Sequence, residues 1–139
     1  MTPVVGGPVP EFLDIRIRRV VATSAAIDAL SARGVTVLRS AVDEALVIDA
    51  DAGELKLDDP WAIVQEDTSW VAFAYDHETA ARLFPRVASW EPPSSAQPFA
   101  QGMAVGLPVK AWWRDSNMVI LCPACFEHDL RQRIDEVLT

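Results

Sequence analysis

The chain has 139 residues, half of them hydrophobic and 23% charged, with a formal net charge of −8. That length predicts one domain with a core of its own. The acid excess argues against a phosphate-binding surface, and no apolar run approaches the roughly 20 residues of a membrane-spanning helix, so neither a nucleic acid nor a membrane is expected as a partner.

Residues 1–11 are rich in Pro and Gly, with neither a basic stretch nor an apolar core of the kind a secretory signal carries. They read as a flexible tail, and residues 12–139 as a single α+β domain. Two cysteines are too few for the disulfide framework of a small secreted domain. The expected location is cytoplasmic.

Leu13, Ile15 and Ile17 alternate with Asp14, Arg16 and Arg18, the period-two pattern of a half-buried strand. Thr23 can cap a short helix carrying Ile27 and Leu30, and Gly34 suits a left-handed stop behind it. Two strands follow, over 35–38 and 44–50, with a turn at Asp51-Ala52-Gly53. Residues 61–65 and 70–75 flank a polar turn and predict a hairpin. Asp76 caps a helix over 77–84, which Pro85 is expected to stop. Residues 90–98, with Pro92, Pro93 and Pro98, read as an extended linker inside the domain. A second hairpin over 109–114 and 118–121 leads to a closing helix with Phe126, Leu130, Ile134, Val137 and Leu138 on one face. The order β-α-β-β, β-β-α, β-β-α predicts an α+β fold: a mostly antiparallel sheet in hairpins, with three helices.

Chemistry concentrates in Cys122-Pro123-Ala124-Cys125, with His128 three residues on. A helix starting at Pro123 would put partial positive charge near Cys122 and favour a thiolate, the setting of a redox pair. Alternatively Cys122, Cys125, His128 and the distant His77 would be the available members of a Cys2His2 zinc set. The plain alternative is a small apolar residue ending a core strand (Cys122) and an ordinary thiol at a helix start (Cys125), so no metal is expected. Asp49-Ala50-Asp51-Ala52-Gly53 has the opening of a calcium loop, but its twelfth position is Pro60 where a bidentate Glu is needed. The nine acids between Asp43 and Asp67, against Lys56 alone, read as solvated loop rims. No phosphate-binding Gly loop, nucleophile elbow or acid–base pair is found, so the expected activity is none and the expected cofactor none. Trp112 and Trp113 must point to opposite faces of a strand; one can enter the core while the other faces solvent, a partner or a ligand, or packs under the linker.

The C-terminal part supplies a resemblance. Glu66-Asp67-Thr68-Ser69-Trp70-Val71 enters a strand, then a helix Glu78-Thr79-Ala80-Ala81-Arg82-Leu83-Phe84 follows. Ala100-Gln101-Gly102, Gly106-Leu107-Pro108-Val109-Lys110-Ala111-Trp112 and Met118-Val119-Ile120-Leu121-Cys122-Pro123-Ala124-Cys125-Phe126 complete the pattern. Over about residues 61–138 this is similar to the folate-binding aminomethyltransferase fold and, within it, to the gamma subunit of sarcosine oxidase. The resemblance implies an accessory, non-catalytic protein whose flavin-bearing neighbours are other subunits, with a protein partner or a homo-oligomer as its assembled state. It transfers no catalytic residue, and the Lys-Gly-Cys-Tyr-x-Gly-Gln motif of the related folate-dependent repair proteins is lacking. Alternatives are a small protein for a folate-like ligand, stacked on Trp112 or Trp113, and the Cys-based redox or zinc protein.

Overall fold

A computed structural model describes residues 9–51, 53 and 55–139. Residues 1–8 of the expected tail, and Ala52 of the expected turn, lie outside the described residues. The chain divides into two compact units, one built from Ser69–Thr139 together with the segment ending at Leu13, the other from Asp14–Thr68.

The first unit is a five-stranded antiparallel sheet. Its strands are β1 (Glu11–Leu13), β6 (Trp70–Tyr75), β7 (Phe99–Ala104), β8 (Leu107–Trp113) and β9 (Met118–Pro123), in the order β1-β6-β9-β8-β7. Central β9 is buried from Met118 to Cys122 because strands flank it on both sides. Two helices cover one face: α2 (His77–Val87) and α3 (Glu127–Leu138), the latter entered through a 3-10 turn at Ala124–Phe126. Leu83 from α2 and Leu130 and Ile134 from α3 pack with Phe73, Tyr75, Val109, Ile120 and Cys122 of the sheet. The Leu130/Ile134 stripe read from the sequence is this buried face.

Two-residue loops are the tightest way to join antiparallel strands, and they need positive φ at both positions. Val105 (φ 44°) and Gly106 (φ 83°) make such a turn between β7 and β8. A β-branched residue is strained there; the Val105 N–H donates to the Val87 carbonyl at 2.8 Å and its own carbonyl accepts from Arg133, so both helices hold the turn.

The second unit is a four-stranded antiparallel sheet of β2 (Ile17–Val21), β3 (Thr36–Ala41), β4 (Glu44–Ile48) and β5 (Ile63–Glu66), ordered β3-β4-β2-β5. Helix α1 (Ser24–Ala32) is capped by the Thr23 hydroxyl, which accepts from Ala26 N–H, and ends before Gly34 at φ 82°. Its Ala26, Ile27 and Leu30 pack on Val20, Ala45 and Val47.

The α+β class, the antiparallel pairing and three α-helices among the described residues stand as read. Four local readings change. The alternation from Leu13 to Ile17 is divided between two strands, β1 pairing with β6 and β2 with β4. The stretches 61–65 and 70–75 do not form a hairpin, since β5 pairs with β2 and β6 with β1 and β9. Helix α2 runs through Pro85 to Val87; Pro85 and Ala81 are both exposed, so the carbonyl deprived of a partner faces solvent and the interruption is tolerated in the last turn. Strand β7, with little apolar alternation, was not expected. No helix among the described residues is long and apolar enough to cross a membrane.

Candidate functional site

The residues singled out in the sequence separate to opposite ends of β9. At one end α2 begins. Asp76 caps it by accepting from Thr79 N–H at 2.7 Å, and this hydrogen bond, with one from the Thr79 side chain, holds the carboxyl below its ordinary pKa. His77 stacks on Trp113, ring centroids 3.7 Å apart at 24°. Its Nε2 lies 2.7 Å from the Arg114 carbonyl oxygen. A carbonyl can only accept, so Nε2 carries the proton; Nδ1 is buried without a partner. Asn117, 9% exposed, closes the β8–β9 turn by accepting from Arg114 Nε at 2.8 Å.

Beside this corner lies a cleft of about 320 Å³ whose lining includes Glu11, Tyr75, Asp76, Thr79 and Asn117. Tyr75 is 3% exposed, its hydroxyl has no partner, and burial, reinforced by Asp135 and opposed by Arg131, pushes the phenol up to about 12. A phenol held protonated and a carboxylate spent on a helix end make a poor acid–base pair at neutral pH.

The cysteines occupy the other end. His77 packs on Trp113, which pairs with Met118, and Cys122 lies four residues further along β9, roughly 13 Å away at the rise of a strand. The structure does not bring His77 to the cysteines. Cys122 is fully buried, whereas Cys125 is exposed on the 3-10 turn and His128 is exposed at the start of α3. Burial, with smaller contributions from Glu127 and Cys125, raises the Cys122 thiol to about 11, opposite to the direction a nucleophilic thiolate needs. Among the described residues no group of three or more His, Cys, Asp or Glu side chains is placed to hold a metal ion.

The tryptophan pair is half-buried on both faces of β8. Trp113 has one ring face against His77, and Trp112 has the Arg114 guanidinium 5.6 Å from its ring centre. Each indole therefore has a partner from this chain over one ring face.

Sequence reading missed the opposite case, where apolar side chains lie uncovered. Trp61 is 87% exposed, Ile63 48% and Val64 38%. The continuous run Trp61-Ala62-Ile63-Val64 reads as core by hydropathy; its position at the edge of the four-stranded sheet is set by pairing with β2, which sequence periodicity does not encode.

Comparison with known proteins bears on the fold. No family model matches the chain, and no curated protein matches it. Among solved structures, a chain of the heterotetrameric sarcosine oxidase from Corynebacterium sp. U-96, in complex with pyrrole 2-carboxylate, superposes with a TM-score of 0.70 at 14% identity. The match covers 94% of this chain and 83% of that one. The likeness thus extends well beyond residues 61–138, and the chain has the fold of that sarcosine oxidase chain.

Proposed function

We propose that this chain is a non-catalytic accessory subunit, counterpart to the gamma subunit of sarcosine oxidase, that works bound to a partner protein in the cytoplasm. The carrying observation is the fold shared over nearly the whole chain with a component of a heterotetramer. Three further features support the reading. Asp76 is spent on capping, His77 is stacked and hydrogen-bonded, and the Cys122 thiol is buried, so these three side chains serve the fold. The test is co-expression with the products of the adjacent genes, followed by size-exclusion chromatography. The expected result is co-elution in fixed stoichiometry with a flavin-absorbing protein. Turnover by the purified chain alone, abolished by one substitution in the Asp76 cleft, would refute the proposal.

A further inference from the structure

We propose that the open edge of β5 accepts an extended, basic segment of the partner subunit as a fifth strand of the four-stranded sheet. This rests on the accessory-subunit reading and names its docking surface. Strand β5 is last in its sheet, hydrogen-bonded to β2 on one side and, among the described residues, to no strand on the other. Asp67 N–H donates to the Ile17 carbonyl at 2.8 Å, and the register runs from Arg18 opposite Glu66 to Val21 opposite Ile63. Hydrogen-bonded pairs alternate along an antiparallel ladder, so residues 63 and 65 turn their backbone groups to β2, and Val64 and Glu66 turn theirs outward.

Sheet edges are normally blunted with bulges, cations or prolines. The opposite edge of this sheet follows that rule. Strand β3 has a bulge between Arg39 and Ala41, and the Arg39 guanidinium binds Asp28, Ser24 and the Val42 carbonyl. Strand β5 is short but has no bulge, Lys, Arg or Pro, and its one charge is Glu66 at its end: Ile63, Val64, Gln65 and Glu66 are all exposed, with Trp61 projecting just ahead of them. An exposed Trp beside open backbone donors supplies an anchor and a template together.

Charge selects the occupant. Asp58 and Asp59 precede the edge and Glu66 lies at its end, three acids against Arg18, which faces Glu66 from β2, while Arg19 is bonded to Glu44 at 2.7 Å. A second copy would bring the same acids and a further net charge of −8, whereas a strand with Lys or Arg at alternate positions meets an opposite field.

The probe is a synthetic Lys-Val-Lys-Val-Lys-Val peptide titrated into the intact chain and followed by amide chemical shifts. Saturable shifts at Val64 and Glu66 are expected, with binding weakened at least about tenfold by Trp61→Ser or Val64→Lys, both at solvent-exposed positions, and about as much for a Glu-Val counterpart. No shift at millimolar peptide, or shifts that both substitutions leave unchanged, would overturn the proposal. So would concentration-dependent dimers in sedimentation that Val64→Lys disperses, since the occupant would then be a second copy. The same substitutions in the co-expressed assembly separate the two readings: an assembly formed but indifferent to them defeats the β5 edge alone, and peptide binding without any assembly defeats the subunit reading alone.

Discussion

The two sheets are finished to different standards. The five-stranded sheet has two helices over one face, large aromatic and aliphatic side chains between them, and a central strand buried along five consecutive residues. The four-stranded sheet has one nine-residue helix, a core in which Ala22, Ala26, Ala45 and Ala50 figure largely, and an edge strand with every residue exposed. Small side chains let α1 sit close to its sheet but bury less apolar area per residue. The contrast teaches that the first unit has the core of large side chains, and that the second leaves Trp61, Ile63 and Val64 exposed along one edge.

The largest expected effects test that contrast directly. Leu130 and Leu30 are both fully buried, so replacing either by Ala should cost about 2–5 kcal/mol. Leu130→Ala should lie at the upper end. Its helix is tied in place by Arg86 to the Val137 carbonyl at 2.9 Å and by Arg133 to the Val105 carbonyl, so it cannot settle into the cavity. Helix α1 is also held, by Arg39 to Asp28 and Ser24, but it packs partly on the small Ala45 and so closes the gap more easily. Urea-unfolding midpoints decide the order, and equal costs would remove the argument from helix mobility.

A smaller effect belongs to the Pro-rich segment. Trp90 lies over Gly102 of β7, where an added Cβ would come within 2.5 Å of the indole nitrogen. That indole is fixed by a 2.8 Å hydrogen bond to the Met103 carbonyl and an edge contact with Phe84, so it must move bodily. Gly102→Ala should cost about 1–3 kcal/mol and alter tryptophan emission. In a Trp90→Leu background the same substitution should cost markedly less, and a cost unchanged there would show that the indole is not what the glycine accommodates.

What was legible in the sequence follows from range. Helix α1, its Thr23 cap and its Gly34 stop are decided within a dozen residues, as is the Leu130/Ile134 stripe. The turn at 115–117 between β8 and β9 is equally local. Strand partners are decided at a distance. Nothing in Leu13-Asp14-Ile15-Arg16-Ile17 signals that its ends join different sheets, and nothing in 61–75 signals that β5 and β6 part company. The corner around His77 was invisible for the same reason: its stacking partner is thirty-six residues away, and the sequence offered His77 only as a distant member of a zinc set. The cysteines were placed more legibly, because a buried strand end and an exposed turn are local consequences of an apolar run meeting Pro123.

Capping compares the units at a smaller scale. Thr23 and Asp76 each accept one backbone N–H at a helix start, so Thr23→Ala and Asp76→Ala should each cost about 1 kcal/mol. They should differ in pH dependence. The Asp76 carboxyl is held below its ordinary value of 3.8 in the folded chain, so its stabilisation is present above that value and fades as pH falls through the lowered one. The hydroxyl of Thr23 does not titrate. The penalty of Asp76→Ala should therefore shrink in acid while that of Thr23→Ala stays level, and parallel curves would contradict the assigned cap.

The least energetic effect is the most selective, and it concerns the thiols at the end of β9. Cys125 is exposed and should react with Ellman's reagent in the native protein within minutes; Cys122, fully buried, should react only as fast as the first unit opens. The Cys122 thiol is raised from 9.0 to about 11 on folding. The unfolded chain therefore releases this proton first as pH rises. Stability from this group is complete below pH 9 and is lost progressively between about 9 and 11. Cys122→Ala should remove that part of the alkaline slope, leaving a shallower loss at higher pH from Tyr75, raised from 10.0 to about 12. Two thiols titrating fast and together in the native state would mean that Cys122 is reachable from solvent, and the strand end it occupies would then be an opening in the core.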